Sequence, residues 1–315
     1  MSIRAIIGQD KAVRILSGTL KKKRIPSALL LSGDQGIGKV SGAIQYAKAL
    51  NCLDPVDSDS CDRCISCRKI DSGNHPDVSL LVPDQDEIRI DLIRNVEDFL
   101  RMKPYEGNWK IVVVTEADLM NRSAANAFLR TLEEPPMNSL IILTSRNPDR
   151  LPDTVRSRCI HVRFYPLTRA ECERVITQEG RAEDRNMVLN LVMGRPGLAS
   201  SRDFTAEREW FLKLLAQMNN GVTKEAWGDR QSIALWLDLA FLHIRDEIVF
   251  ALTAEESRMI AGGPGRKAGD KKTPGSVEAL VNAHGRLYAV KELLDFHLNK
   301  SISWNYVSCI MREIS

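Results

Sequence analysis

Short apolar runs alternate with amphipathic stretches over the first 165 residues of the chain. The runs predict strands at residues 28–31, 78–82, 111–114, 140–143 and 160–164. Helical periodicity separates the strands; Ile93, Val96 and Leu100, for example, share one helix face. Strands that are apolar throughout and alternate with helices are typical of a parallel sheet with right-handed crossovers. The pattern therefore predicts an α/β domain.

The strand pattern stops at Pro166, and the remaining periodicity is helical. Residues 167–203 predict a few short helices, and residues 204–315 predict longer ones, with a long final helix that begins near Ser276. The Gly-rich, basic segment 262–272 predicts a flexible loop between two of these helices. We therefore expect three domains: α/β over residues 1–166, a small helical domain over 167–203, and an all-α domain over 204–315.

Composition excludes several classes of protein. Of the 315 residues, 43% are apolar and 27% are charged, as in ordinary globular chains, which excludes a fully disordered chain. The net charge of +3 argues against a chain that coats nucleic acid. No segment approaches the roughly 18 apolar residues of a membrane span, and the N-terminal segment has too short an apolar core for a secretory signal. We expect a cytoplasmic protein without a membrane partner.

A glycine-rich segment, Gly33-Asp34-Gln35-Gly36-Ile37-Gly38-Lys39, follows one predicted strand and opens a predicted helix. This is the context of a phosphate-binding loop, in which backbone N–H groups converge on phosphates and the lysine reaches the β- and γ-phosphates. A Gly-rich turn with a chance lysine is the alternative, and the flanking elements disfavour it. The candidate nucleotide-binding residues are Gly33, Gly36, Gly38, Lys39 and Glu116.

The same loop lacks the usual magnesium ligands. Val40 stands where a Ser or Thr hydroxyl would bind Mg²⁺, and Thr115 stands where an Asp normally ends the next buried strand. Ser41 should point away, since neighbours on a helix do not share a face. Glu116 has the position of a water-activating carboxylate. We expect no hydrolysis and at most weak binding of ATP or ADP.

Four cysteines, Cys52, Cys61, Cys64 and Cys67, fall within sixteen positions. Paired Cys-x-x-Cys turns present thiolates at the separation that tetrahedral Zn²⁺ requires. An iron–sulfur cluster and four unliganded thiols are the alternatives, but the Cys-Pro typical of such clusters is absent. The spacing predicts one structural Zn²⁺ per chain, in a module at about residues 51–73, with no open position for catalysis. We expect the remaining cysteines, Cys159, Cys172 and Cys309, to be buried.

Taken together, these features resemble the AAA+ clamp-loader family of bacterial DNA polymerase III. The resemblance covers roughly the first 200 residues. It is carried by residues 33–39, the cysteine insert directly after the loop's helix, and the segments 123–136, 147–152 and 157–159. Three residues depart from the ATPase members, the gamma/tau subunits: Val40, Thr115, and Gly197 in place of a sensor arginine. Arg195 lies two positions before the place of that sensor arginine. The resemblance thus implies a non-hydrolysing member.

The resemblance also implies partners and roles. It implies an AAA+ P-loop domain with the zinc insert, a helical lid, and a helical collar that assembles with gamma/tau and delta subunits in a five-membered ring. That ring places the sliding clamp on primer-template DNA. Arg158 would act in trans as an arginine finger on a neighbour's nucleotide; its alternative is an ordinary surface arginine.

Two other functions stay open: an active gamma/tau-like ATPase and a zinc-dependent DNA-binding protein. The latter needs a basic face around Cys61–Cys67, where Arg63, Arg68 and Lys69 are balanced by Asp62 and Asp71.

Overall fold

The computed structural model describes residues 2–83, 87–178, 185–201, 203–222, 227–253, 276–296 and 299–314. The chain divides into two compact units, Met1–Arg181 with Val192–Ser200 and Ala182–Leu191 with Ser201–Ser315. The basic loop predicted at 262–272 lies outside the described residues. Across the described residues, none of the helices combines the length and apolar character that crossing a membrane requires.

A parallel sheet forms the centre of the first unit. Its strands are β1 (Ala28–Ser32), β2 (Val78–Leu81), β3 (Lys110–Val114), β4 (Ser139–Ser145) and β5 (Ile160–Arg163). Their order is β2-β3-β4-β1-β5, and Leu30 of β1 pairs with Leu143 of β4 and His161 of β5. The three inner strands are buried along their whole length. This burial confirms the α/β prediction, since apolar runs without alternation require cover on both faces.

The helices over residues 10–178 are α1 (Asp10–Lys21), α2 (Lys39–Asn51), α3 (Ile65–Asp71), α4 (Ile90–Arg101), α5 (Arg122–Glu133), α6 (Asp153–Arg156) and α7 (Arg169–Gln178). Of these, α1, α2, α4, α5 and α6 contribute side chains to the apolar clusters on the two faces of the sheet. Successive strand residues point to opposite faces: Leu29 packs in one apolar cluster with Leu16 and Tyr46, and Leu30 packs in the other with Ile93 and Phe128. Two short helices, α8 (Arg185–Val192) and α9 (Gly197–Ser201), follow in the chain.

The described part of the second unit is helical and contains no strand. Its longer helices are α10 (Phe204–Asn219), α11 (Arg230–Thr253), α12 (Val277–Glu292) and α13 (Lys300–Ile314). Three tryptophans lie at the centre of its core, and the rings of Trp227 and Trp304 meet edge to face with centroids 5.2 Å apart. Trp236 packs against Trp227 in the same way, at 5.8 Å.

Two expectations for the C-terminal region were wrong. The helix that starts after Ser276 does not continue to the end of the chain: α12 ends at Glu292, and α13 begins at Lys300. The carbonyl of the Asn299 side chain accepts hydrogen bonds from the N–H groups of the next turn, which starts a new helix there. Cys309 is exposed rather than buried, because α13 turns Trp304 and Val307 towards the core instead.

Candidate functional site

The glycine-rich loop leads from β1 into α2 at the carboxyl edge of the sheet, as its sequence predicts. Gly33 has φ = +139°, and a Cβ at this position would lie 2.5 Å from the carbonyl oxygen of Phe164. Gly38 caps α2 in the left-handed conformation. Glycine is therefore required at Gly33 for both space and backbone conformation. The loop presents the N-terminus of α2, which favours anions.

Lys39, the first residue of α2, folds back over this loop. Its ammonium donates to the carbonyl oxygens of Gly33 and Asp34, both at 2.6 Å. Burial, and next the positive charge of Arg146, lower the pKa of Lys39 to about 8. The lysine thus lies where the motif requires it, and it is protonated at neutral pH.

Neither magnesium-ligand position carries its usual residue. The side chain of Val40 has no oxygen, and Thr115 has a hydroxyl in place of a carboxylate, which donates to the carbonyl oxygen of Leu81 at 3.1 Å. Glu116 adopts a left-handed conformation with φ = +48°, and its carboxylate forms an ion pair with the guanidinium of Arg146. The candidate water-activating carboxylate is therefore already bound to a cation.

Gly197 meets the phosphate loop directly. Its N–H group donates to the carbonyl oxygen of Gly36 at 2.8 Å, and a Cβ on Gly197 would lie 3.0 Å from that oxygen. A side chain here would push the two segments apart. Arg195 instead directs its guanidinium Nε towards the carbonyl oxygen of Val192.

A cavity of about 290 Å³ lies beside the loop. Its walls include Gly36, Gly38 and Ser41, together with apolar side chains such as Ile37 and Leu167. Gln45 also lines it, and the Oε1 atom of this buried side chain has no hydrogen-bond partner. An unpaired buried acceptor costs free energy unless a ligand donates to it. The cavity thus combines apolar walls with one buried acceptor next to the glycine-rich loop.

The four clustered cysteines converge as predicted. The sulfur atoms of Cys52, Cys61, Cys64 and Cys67 all lie within 4.8 Å of one another. Backbone N–H groups of Cys61 and Cys67 donate to the sulfurs of Cys52 and Cys64, at 3.3 and 3.4 Å. Tetrahedral Zn²⁺ with Zn–S bonds of about 2.3 Å separates sulfurs by roughly 3.8 Å. The donor set therefore fits a four-coordinate structural zinc ion.

The thiols of this cluster differ in acidity. Burial alone raises the pKa of Cys64, but N–H groups of Cys67 and Leu53 outweigh it and lower the pKa to about 6. Burial raises the pKa of Cys67. Zinc binding requires thiolates, so the ion would have to displace the proton of the buried Cys67.

Lys48 of α2 anchors the cysteine module. Its side chain is 0% exposed, and its ammonium lies 2.5 Å from Asp62 Oδ1 and 2.8 Å from Asp71 Oδ2. Because both carboxylates belong to the segment around the cysteines, the helix of the phosphate loop holds that segment by a buried charge. The hydroxyl of Ser66, between Cys64 and Cys67, also donates to the carbonyl oxygen of Asn51 at the end of α2.

Arg158 lies apart from the loop. It precedes Ile160, the first residue of β5, which pairs with Leu29 near the start of β1. Since the strands are parallel, Arg158 is at the amino edge of the sheet and the phosphate loop is at the carboxyl edge. Its guanidinium donates to Glu133 Oε1 at 2.5 Å and to the carbonyl oxygen of Thr154 at 2.7 Å.

Sequence reasoning missed three residues of these sites: Gln45, Lys48 and Arg146. A signal existed for Arg146, because it directly follows a predicted strand that ends at the same sheet edge as the loop. Gln45 and Lys48 fall four and seven positions after Ser41 in an otherwise apolar helix. Nothing in the sequence distinguishes their buried amide and ammonium groups from exposed ones.

A parallel sheet with a glycine-rich loop between β1 and α2 is the architecture of a P-loop domain. The model of the family described as DNA polymerase III, delta subunit, matches residues 8–168, slightly more than half of the chain. The chain belongs to this family.

The individual proteins that match this chain are also subunits of DNA polymerase III. The delta' subunit of Bacillus subtilis (strain 168) DNA polymerase III is 31% identical over 210 residues, covering 65% of this chain and 64% of that protein. The delta' subunit of Pseudomonas aeruginosa is 38% identical over 135 residues, or 42% of this chain and 41% of that protein. The matched segments thus span less than two thirds of these relatives. Tau and gamma subunits of DNA polymerase III also match.

The fold has a counterpart among solved structures. The crystal structure of a DNA polymerase III gamma subunit-related protein from Thermotoga maritima aligns with a TM-score of 0.57. The alignment covers 97% of this chain and 99% of that one at 19% identity. It establishes a similar fold.

Proposed function

We propose that the chain is a delta-prime subunit of a bacterial DNA polymerase III clamp loader that does not hydrolyse ATP itself. It would help to load the sliding clamp onto primed DNA during replication. Membership of the delta-subunit family and similarity to delta' subunits support this class of complex. One observation carries the lack of hydrolysis: Val40 supplies no side-chain ligand for Mg²⁺, and Thr115 supplies no carboxylate.

The state of Glu116 supports the same conclusion. A carboxylate that activates water must be free to form a hydrogen bond to that water. The carboxylate of Glu116 is instead engaged by the guanidinium of Arg146. ATP hydrolysis at a P-loop needs both Mg²⁺ ligands and a carboxylate that activates water. In this chain both are impaired.

The contribution of the subunit would instead be made by Arg158, acting in trans as the catalytic arginine finger of a neighbouring ATPase subunit. The position of Arg158 at the amino edge of the sheet supports this role, because the side chain is across the sheet from its own phosphate loop. Glu133 and Thr154 hold the partly exposed guanidinium in one orientation. A finger of this kind raises the rate by ~10³-fold or more.

The proposal also assigns the domains, the partners and the role of the metal. Residues 167–203 would form a helical lid and residues 204–315 a clamp-loader collar. Gamma/tau and delta subunits would be the direct partners in a cytoplasmic complex, and primer-template DNA would be reached through that complex. Zinc at Cys52, Cys61, Cys64 and Cys67 would be structural.

A zinc-dependent DNA-binding function has less support. Two of the basic residues of the module are already paired, Arg63 with Asp54 and Lys69 with Glu106. Guanidinium and ammonium groups in ion pairs attract phosphates less strongly than unpaired ones.

The test is clamp- and DNA-stimulated ATP hydrolysis by the reconstituted complex. Arg158→Ala should leave the complex assembled and lower the rate partially, because one of several interfacial sites loses its cation. Arg156→Ala is the matched control: its side chain is 33% exposed against 34% for Arg158, and it also forms ion pairs. The control should have a weaker effect.

Lys39→Ala distinguishes a non-hydrolysing subunit from an active gamma/tau-like ATPase. We expect a mild effect on the complex and no turnover by the isolated subunit, with or without DNA and clamp. If Lys39→Ala is more damaging than Arg158→Ala, the chain is an active gamma/tau-like ATPase, and the proposed function is wrong.

A further inference from the structure

The N-terminal segment of the chain is folded into the core of the first unit. Residues Ile3–Ala5 form a single turn of 3₁₀ helix. Ile3 is 0% exposed and belongs to the apolar cluster around α1 and α2, and its carbonyl oxygen accepts the N–H of Ile6 at 3.2 Å. A single helical turn is unstable by itself, because it fixes several backbone dihedrals for one hydrogen bond. Contacts from elsewhere in the chain must therefore hold this turn.

Asp59, in the cysteine module, supplies such a contact. Its Oδ1 atom accepts the N–H of Ile3 at 3.1 Å, and its Oδ2 atom accepts the N–H of Arg4 at 3.2 Å. Oδ1 also accepts the N–H of Ser60 at 2.8 Å. Asp59 is only 5% exposed, and a buried carboxylate is stable only where hydrogen bonds replace its hydration. Asp59 thus ties the module to the first turn of the chain at a buried contact.

The position of Asp59 is set by a tight hairpin in the segment between Cys52 and Cys61, two of the candidate zinc ligands. The backbone N–H and carbonyl groups of Val56 and Asp59 bond to each other in both directions, at 3.0 and 2.9 Å. The two residues between them both have positive φ values, of 52° and 64°, as in a two-residue hairpin turn. Zinc bound by both cysteines would fix the two ends of this segment, and loss of the ion would release them.

The residues that follow the capped turn belong to the cavity beside the glycine-rich loop. Ile6 and Ile7 line this cavity together with residues of the loop such as Gly36. The hydrogen bond between Ile6 and Ile3 makes the place of Ile6 depend on the turn that Asp59 caps. Loss of the turn would remove part of the cavity wall. A chain of backbone contacts therefore leads from the cysteine module to this wall.

We propose that zinc binding controls the order of the N-terminal segment, with Asp59 as the residue that transmits it. With zinc bound, the hairpin holds Asp59 against the turn; without zinc, the hairpin is released and residues 3–7 leave the cavity wall. Asp59 is a positioning residue here, since it is not one of the four candidate ligands. The inference rests on the zinc site included in the proposed function, but not on clamp loading or on Arg158, so the two can fail independently.

Hydrogen–deuterium exchange of the full chain, read by mass spectrometry, tests the proposal on zinc-loaded protein and on protein stripped by a chelator under reducing conditions. We expect the peptide that contains residues 3–7 to exchange at least about tenfold faster without zinc, since two hydrogen bonds to a carboxylate are lost. Peptides from β3 and β4 should keep their protection, because both strands are buried outside the module. Unchanged exchange of the N-terminal peptide, an equal loss of protection in β3 and β4, or a chain that binds no zinc each overturns the proposal.

Two matched carboxylate variants assign the role to Asp59. Asp59→Asn replaces one acceptor oxygen by a donor and can serve only one of the two N–H groups, so the N-terminal peptide of the zinc-loaded variant should exchange at least about fivefold faster. Asp57→Asn, in the same hairpin, loses only an exposed ion pair with the side chain of Arg4, and asparagine tolerates its positive φ. This control should exchange like the unmodified chain.

Equal exchange rates for the two variants contradict the role of Asp59. Metal analysis gives the zinc content of each variant. If Asp59→Asn does not keep its zinc, the comparison of loaded and stripped unmodified protein decides the proposal.

Discussion

Lys110 and Asp77 form a buried ion pair in which Nζ lies 3.1 Å from Oδ1, with the two side chains 6% and 0% exposed. Asp77 also accepts the backbone N–H groups of Tyr105, Glu106 and Gly107, at 2.7–2.8 Å. Burial alone raises the pKa of Asp77, but these N–H groups and Lys110 outweigh it and lower the pKa to about 2. The pair connects the segment before β2 to the start of β3.

Asp77→Asn should therefore lower the free energy of unfolding by about 3 kcal/mol at pH 7, because Lys110 stays buried without its counter-charge. The folded-state pKa lies below the ordinary value of 3.8. The stabilisation by the carboxylate is thus present above about pH 4 and is lost as the pH falls from about 4 towards 2.

Urea denaturation of both proteins across this pH range measures the difference. Asp91→Asn, at an exposed i,i+3 pair with Arg94, should change stability by less than about 0.5 kcal/mol. A difference between Asp77→Asn and the unmodified protein that stays constant down to pH 3 would contradict the assignment.

The cysteine cluster predicts one zinc ion per chain. Cys64→Ser should lower zinc content and stability together, since structural zinc contributes folding energy directly. Cys309→Ser, at an exposed cysteine outside the cluster, should retain one zinc. Metal analysis and thermal unfolding provide the measurements. Iron with visible absorbance, or reduced protein without metal, would show that the site is not a zinc site.

Lys48 should stabilise the cysteine module more than Lys69, which forms a partly exposed ion pair. Lys48→Met removes a buried ammonium from the partly exposed carboxylates of Asp62 and Asp71, and we expect a loss of about 2 kcal/mol and faster zinc release to a chelator. Lys69→Met breaks a partly exposed pair with Glu106 and should cost at most about 1 kcal/mol. Equal zinc-release rates for the two variants would indicate that Lys48 does not anchor the module.

Any nucleotide binding at the glycine-rich loop should depend on pH through Lys39. Burial and Arg146 lower its pKa to about 8, so the ammonium loses its proton as the pH rises through that value. Any affinity of the full chain for ADP should be constant near pH 7 and fall above about pH 8. Lys39→Met should bind more weakly and lose most of this dependence. The same pH profile for the variant and the unmodified protein would contradict the role of Lys39 in this dependence.

The elements of the sheet follow from the sequence because their patterns are local. Apolar runs such as those at β3 and β4 require cover on both faces, and α5 ends at Glu133, just before Pro135 and Pro136, because proline cannot continue a helix. The side chain of Asn121, the residue before α5, accepts the N–H of Ala124 and caps that helix. The four cysteines were also predictable, since ligand spacing within sixteen positions already constrains the geometry.

The chemistry around these elements was decided only by the tertiary structure. Arg146 meets Glu116 across 30 positions of sequence, and Lys48 meets Asp71 across 23, because crossovers bring distant segments to one edge or one helix. The parallel order of the strands places Arg158 across the sheet from Lys39, which no local pattern encodes. The sequence determined which residues could carry charge or bind metal, since residue type and spacing are local properties. Packing decided which charges are buried, which are paired, and which amide is left without a partner.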